Sequence, residues 1–200
     1  MKIIGLCGGS GSGKGTVAKS FLKFGITSVD TDAVYHDITS RKSPCLDALV
    51  DEFGADIISP GGALDRKKLS SIVFFADDSQ KKREKLNKIS HRFVLDRTRE
   101  MLADFENEGV KAALVDAPLL FESGFDKECD LIIAVVAKKE VRVERIIKRD
   151  GIDERAAIRR INSQITDGEL VSRSDFVIEN SGSTLDLEKQ VASIAEKILA

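Results

Sequence analysis

Gly8-Gly-Ser-Gly-Ser-Gly13-Lys14 fits the spacing GxxxxGK, and the residues on either side of it decide what that spacing means. Upstream, Lys2-Ile-Ile-Gly-Leu-Cys7 is a short apolar run that stops at the glycines, as a strand buried in a parallel sheet would. Downstream, apolar residues at 17, 18, 21, 22 and 24 recur at helical spacing, and Gly25 stands where a C-cap glycine belongs. Strand, glycine turn, lysine and helix in this order form a phosphate-binding loop. The turn aims successive backbone N–H groups at a polyphosphate, while the helix dipole and Lys14 add positive charge. Gly9, Ser10, Gly11, Ser12, Gly13, Lys14, Gly15 and Thr16 are therefore the candidate nucleotide-phosphate residues. A dinucleotide fold would need glycines at i, i+2 and i+5, which those at 9, 11, 13 and 15 do not supply, although Asp30 lies at a distance suited to a ribose-binding acid.

One position departs from the pattern. The residue after the lysine is normally Ser or Thr, whose hydroxyl ligates Mg²⁺, and here it is Gly15. Either Thr16 lends its hydroxyl, or the ion is held through water and carboxylates. Mg²⁺ keeps several waters readily, so the water-mediated arrangement is the expectation.

Working outward, Ile26 to Val29 reads as a second strand ending at Asp30, and Ala112–Val115, Leu131–Ala137 and Phe176–Ile178 as three more. Residues 33–106 look different. Leu46, Leu49, Val50 and Phe53, then Ile89, Phe93 and Val94, recur at helical spacing, with Gly and Pro, apart from Pro44, only around 54–62. Lys138 to Ile165 is a charged helical stretch, and Leu185 to Leu199 an amphipathic closing helix. Strands alternating with helices predict a three-layer α/β domain around a parallel sheet. The division expected is a nucleotide-binding core at 1–32, 107–137 and 166–200, a helical insertion at 33–106 and a helical lid at 138–165.

Composition narrows the function classes. The chain has 200 residues with 31 Lys+Arg against 33 Asp+Glu, and this near balance argues against a general nucleic-acid binder. No stretch approaches the ~20 apolar residues of a membrane span. Cys7, Cys45 and Cys129 are far apart, odd in number and form no CxxC pair, against both a disulfide framework and a zinc site. A reducing, cytoplasmic setting is expected.

The remaining chemistry lies in carboxylates and arginines. Asp30 and Asp32 close the second strand, and residues two apart on extended chain share a side, so both can face the strand's carboxyl end. In phosphoryl transfer one such carboxylate can take the proton of the attacking hydroxyl. The alternative is a helix cap at Asp32 and a solvated turn at Asp30. Asp116 ends its own apolar run ahead of Pro118, the position of a carboxylate that holds Mg²⁺ beside a phosphate loop, or of a simple turn cap. Arg142, Arg145 and Arg149 share a helix face, and Arg155, Arg159 and Arg160 follow after Asp150-Gly151. Such a hairpin can close over ATP and neutralise developing charge, or be only a solvated face. His36 and His91 have no partners at metal-ligand spacing.

Several separate motifs now converge on a family. Gly8 to Lys14, Asp30-Thr-Asp32, Asp116-Ala-Pro-Leu-Leu-Phe-Glu122, the series Arg145, Arg149-Asp-Gly151, Arg160 and Gln164, and Asp175-Phe-Val-Ile-Glu-Asn-Ser-Gly-Ser183 together resemble the dephospho-CoA kinases, from Ile3 to about Leu187. The Pro118-Leu-Leu-Phe-Glu122 stretch is the most specific, because generic nucleotide kinases share the phosphate loop but lack it. The resemblance implies ATP-dependent phosphorylation of the ribose 3′-hydroxyl of dephospho-CoA with Mg²⁺, the last step of coenzyme A synthesis. It also implies Asp32 as catalytic base, Lys14 on the transferred phosphoryl group, and Arg145, Arg149 and Arg160 in the lid. Asn180 to Ser183, Gly182 included, would lie near the adenine. Asp30, Asp32, His91, Pro118 and Leu119 would meet the acceptor, with the helical insertion as its domain. Gly15 stands where the family usually has serine, and Arg92 follows His91 where proline is common. Gly-Lys-Gly-Thr keeps a nucleoside monophosphate kinase as a second reading. A guanine-nucleotide switch is the third; Asn87-Lys-Ile-Ser90 lacks the final acid of its base-reading loop.

Overall fold

The computed structural model describes residues 1–74 and 78–200, so the part of the expected helical stretch at 75–77 lies outside the described residues. Five strands, β1 (Lys2–Cys7), β2 (Thr27–Asp30), β3 (Ala112–Asp116), β4 (Leu131–Val136) and β5 (Phe176–Glu179), form one sheet in the order β2-β3-β1-β4-β5. The pairings of β1 with β3, β1 with β4 and β4 with β5 are all parallel. The predicted strand positions hold to within a residue or so at each end.

β1 lies at the centre of the sheet, which explains its unbroken apolar character: both faces are covered. Ile4 and Leu6 point to a core shared with Val17, Ala18 and Phe21 of α1 (Lys14–Phe21) and Leu187, Val191, Ala195 and Ile198 of α9 (Thr184–Leu199). On the opposite face Gly5 is required by close approach. A Cβ there would stand 2.8 Å from Leu120 Cδ2 and 3.1 Å from Cys129 Sγ, so the buried Leu120 packs directly onto the strand backbone. Burial of this kind is worth about 25 cal/mol per Å² of apolar surface, the main force holding helices to the sheet.

Chain contacts divide the protein into two units, Met1–Val29 with Leu102–Ala200, and Asp30–Met101. The second is helical: α2 (Thr31–Thr39), α3 (Pro44–Phe53), α4 (Arg66–Phe74) and the part of α5 (Ser79–Asn107) up to Met101. Its core is Cys45, Leu46, Leu49, Ile57, Leu64, Leu69 and Val73, with Val50, Phe53, Ile89 and Phe93 packed against it. These include the residues whose helical spacing is evident in the sequence, apart from Val94. Ser43 caps α3 by accepting from the Leu46 amide, with Pro44 as the first helical residue. Arg92 lets α5 run unbroken for 29 residues, because a proline at that position would remove a helical hydrogen bond.

The charged stretch folds as α6 (Lys139–Asp150) and α7 (Glu154–Asn162), followed by a short α8 (Asp167–Ser172) that the sequence pattern does not announce. Two readings need correction. The first helix ends at Phe21 and continues as a tighter 3-10 turn over Leu22–Phe24 before Gly25. The extended geometry assumed for Asp30 and Asp32 holds for Asp30 alone, since α2 begins at Thr31 and places Asp32 in its first turn.

Candidate active site

The loop Gly8–Gly13 joins β1 to α1, so it sits at the carboxyl end of the central strand, where ligands of open α/β sheets bind. Its backbone has a complete carbonyl account. Gly8 O accepts from Lys14 Nζ at 3.0 Å, and Gly9 O from the Ser12 amide at 3.1 Å. Ser10 O accepts from Arg142 Nε at 2.9 Å, and Gly11 O from Arg145 Nη1 at 3.2 Å. Ser12 O takes Asn180 Nδ2 at 2.7 Å and Arg145 Nη1 at 3.3 Å, while Gly13 O takes the Thr16 and Val17 amides. The amides divide differently. Ser12 N is used within the turn and Ser10 N donates to Gln164 Oε1 at 2.8 Å, whereas those of Gly9, Gly11, Gly13, Lys14 and Gly15 make no hydrogen bond within the described residues. Five donors at the start of a helix are left to an anion.

Gly13 is the N-cap of α1 with φ 92°, a left-handed conformation that side chains rarely adopt, and a Cβ there would come 2.2 Å from Asn180 Nδ2. Gly15 differs: a Cβ there would meet nothing within 4 Å.

β3 brings Asp116 beside this loop through the register Leu6↔Asp116. Lys14 Nζ lies 3.9 Å from Asp116 Oδ1, with both side chains about 85% removed from solvent. A single carboxylate at the end of β3 suits a hard ion that retains its waters, and no group of three or more His, Cys, Asp or Glu able to hold a metal occurs among the described residues.

The arginines separate sharply. Arg142 is buried, and Arg145 spends its fork on Gly11 O, Ser12 O and, at 2.8 Å, Asn180 O. Arg149 donates to Ser10 Oγ at 3.3 Å and pairs with Asp150, which Arg160 also contacts. These bonds, the Arg149 hydrogen bond first, hold the Asp150 carboxyl down at about 2. Arg155 and Arg159 are exposed, as a solvated face would be.

Asn180 is buried with its amide on the loop, Ser181 Oγ accepts from the Lys138 amide at 2.7 Å, and Ser183 caps α9 in a reciprocal capping box with Asp186. Gly182 packs near Asp186, where a Cβ would stand 3.2 Å from Oδ2. Pro118 and Leu119 are exposed just beyond β3. In the helical unit, Asp30 is the N-cap of α2, its Oδ1 accepting from the amides of Asp32 at 2.9 Å and Ala33 at 3.1 Å. The cap is therefore Asp30 and not Asp32, whose side chain is exposed. His91 is half-buried in α5 and His36 exposed in α2. Asp167 is the functional candidate that the sequence does not single out: it lies 25 positions from Arg142, which belongs to the arginine run, and matches no helical pair spacing.

The family model for dephospho-CoA kinase matches residues 2–186. The chain belongs to the dephospho-CoA kinase family. A relative named dephospho-CoA kinase from Fusobacterium nucleatum is 41% identical over 196 residues, covering 98% of each chain. Among solved structures, a protein from Thermus thermophilus superposes with a TM-score of 0.83 at 26% identity, over 100% of this chain and 98% of its own. The dephospho-CoA kinase from Campylobacter jejuni gives 0.72 at 26% identity, covering 99% and 98%. The fold is that of the P-loop kinases, and in this dephospho-CoA kinase family member residues 8–14, 30–32 and 116–122 stand at the carboxyl ends of β1, β2 and β3. No helix among the described residues is long and apolar enough to cross a membrane.

Proposed function

We propose that this chain transfers the γ-phosphoryl group of ATP to the ribose 3′-hydroxyl of dephospho-CoA, giving CoA and ADP, the last step of coenzyme A synthesis. The observation that carries the ATP half is the loop whose carbonyls from Gly8 to Gly13 are all taken within the chain while five amides have no partner among the described residues. Membership of the family over residues 2–186 carries the choice of acceptor.

In the transfer, the 3′-oxygen forms a bond to the γ-phosphorus as the bond to the β–γ bridging oxygen breaks, and the hydroxyl proton passes to Asp32. ADP leaves with the bridging oxygen. Lys14 and the amides of Gly9, Gly11, Gly13, Lys14 and Gly15 stabilise the charge on the phosphates, the main source of rate in such reactions. Arg145 and Arg149 belong to the lid at 138–165, Arg145 bracing the loop and Arg149 reaching its Ser10 hydroxyl. Asn180 and Gly182 border the adenine. Asp30 fixes the start of α2 and with it Asp32, while His91, Pro118 and Leu119 serve the acceptor, whose domain is 33–106. Mg²⁺, when bound, would offset phosphate charge; Asp116 would hold it through water, and the Thr16 hydroxyl, two residues after Lys14, is the other candidate ligand. Neither nucleic acid nor membrane is a partner, and the three free thiols suit a cytoplasmic setting.

The test is ADP release from ATP and Mg²⁺ with dephospho-CoA, run beside AMP, adenosine and a no-acceptor control, with the product's mass measured. One added phosphoryl group on dephospho-CoA alone is the expected result. Turnover only with AMP, or equally without acceptor, overturns the proposal.

A further inference from the structure

Arg142 is 4% exposed, although its helix α6 is otherwise strongly charged. A buried guanidinium is costly unless its donors are used; here Nε and Nη1 have specific partners, while Nη2 makes no hydrogen bond among the described residues. Nε donates to Ser10 O at 2.9 Å and Nη1 to Asp167 Oδ1 at 2.8 Å, a carboxylate on the first turn of α8. The head group also sets the shape of the loop beside it. A Cβ on Gly9 would come 2.1 Å from Arg142 Nη2 and 2.8 Å from Cζ, and one on Gly11 would come 2.6 Å from the Arg142 carbonyl oxygen. Two of the loop's glycines are thus small because Arg142 fills the space behind them.

Ser10 shows what this contact achieves. Its amide is held by Gln164, its hydroxyl by Arg149 and its carbonyl by Arg142, so all three polar groups of one loop residue are fixed from the segment 142–164. A peptide unit is planar, so fixing the Ser10 carbonyl also fixes the direction of the Gly11 N–H in the same unit. That N–H is one of the five without a partner among the described residues.

We infer that Arg142, held by Asp167, is a positioning residue for ATP: it sets the Ser10–Gly11 peptide so that the Gly11 amide is presented to the nucleotide phosphates. Its effect falls on nucleotide affinity, not on the acceptor or on proton transfer. Lysine cannot replace it, because an ammonium is a point donor and cannot hold Ser10 O and Asp167 in the planar fork that a guanidinium offers.

The inference rests on the loop's binding ATP, and the experiment separates the two. ATP affinity without acceptor, the KM values for ATP and acceptor, kcat and Tm are measured for the wild type, Arg142→Met, Arg142→Lys and Asp167→Asn. Wild-type protein that does not bind ATP would sink the proposed function itself. With wild-type binding established, Arg142→Met is expected to raise Kd and KM for ATP at least tenfold. The acceptor KM, and kcat at saturating ATP, should stay within about threefold. Arg142→Lys should still lose at least fivefold in ATP affinity, and Asp167→Asn, which keeps an oxygen acceptor, at most threefold. If Arg142→Met does not fold, the lysine variant decides. A lowered Tm with unchanged ATP affinity in the lysine or methionine variant makes Arg142 purely structural and overturns the inference, as does an equal loss in acceptor KM.

Discussion

Lys14 Nζ stands 3.9 Å from Asp116 Oδ1 and 3.0 Å from the Gly8 carbonyl oxygen, so one ammonium joins the end of β3 to the loop that follows β1. Asp116 in turn faces a cation where a metal ion would compete for it. Lys14→Met is expected to lower kcat/KM for ATP by about 10²–10³, the scale for losing one preorganised charged donor. Asp116→Asn should raise the Mg²⁺ concentration for half-maximal turnover by about tenfold, the scale for a partner acting through water. A Mg²⁺ titration of both variants checks this; an unchanged midpoint in Asp116→Asn removes Asp116 from the metal's surroundings.

Gly13 and Gly15 lie two residues apart and tolerate opposite things. Gly13→Ala should lose ATP binding and about 1–2 kcal/mol of stability, since its left-handed φ is strained for alanine and Asn180 occupies the space. Gly15→Ser meets open space, and should be neutral or slightly stabilising by a few tenths of a kcal/mol, about the difference in helix propensity. It also places a hydroxyl where phosphate loops usually carry one, so the Mg²⁺ midpoint should fall. Urea unfolding with nucleotide binding compares the two.

Asp32→Asn should lower kcat by about 10²–10⁴, the usual range for losing a general base, with KM for ATP within about twofold. Asp30→Ala acts differently, removing the helix cap at a cost of about 1 kcal/mol. Near-normal turnover in Asp32→Asn would exclude it as the base.

The thiols supply a pH dependence. Burial pushes Cys45 up to about 11, and burial followed by the charges of Asp126, Glu128 and Asp130 pushes Cys129 up to about 12, from 9.0. The folded chain therefore favours the neutral thiols. Their contribution is fully present below pH 9 and is lost as pH rises toward 11 and 12, because the unfolded chain ionises first. Native protein should resist iodoacetamide at pH 8, and unfolded protein should react at all three cysteines. The urea midpoint should fall between about pH 9 and pH 11; rapid native alkylation of Cys129 would contradict the burial argument.

Asp150 has the opposite sign. Hydrogen bonds and charge from Arg149, then Arg160, hold its carboxyl at about 2, so this pairing persists above the ordinary carboxylate value of about 3.9 and is lost only as pH falls through about 2. A carboxyl carbon NMR titration should show this residue still ionised at about pH 3, where exposed aspartates are mostly protonated. Asp150→Asn frees Arg149 and Arg160, and should alter the salt sensitivity of the helical segment 138–165 more than its helix content.

Much of this was legible locally. The alternation of strand, glycine turn and helix at 2–25 carries its own signature, because each element follows from a few adjacent residues. The helical spacing of Leu46, Leu49, Val50 and Phe53 marks a face that packs into the second unit's core. Asp30 and Asp32 were legible as a pair but not as a geometry. The argument from extended chain fails there because Asp30 turns the chain into α2 by capping it.

By itself, then, the sequence determined the five strands and most of the helices, the phosphate loop, the ends of the strands that carry carboxylates and the family, since all of these rest on short-range pattern. Only the tertiary structure decided which carbonyls of the loop are taken and by whom. Arg142, Arg145 and Asn180 reach Ser10, Gly11 and Ser12 across 132 to 168 residues of chain, and Asp167 meets Arg142 across 25. The same helical spacing of arginines suits a solvated face or a clasp on a phosphate loop. The difference is which side of α6 the packing of β1 against β4 turns toward the loop.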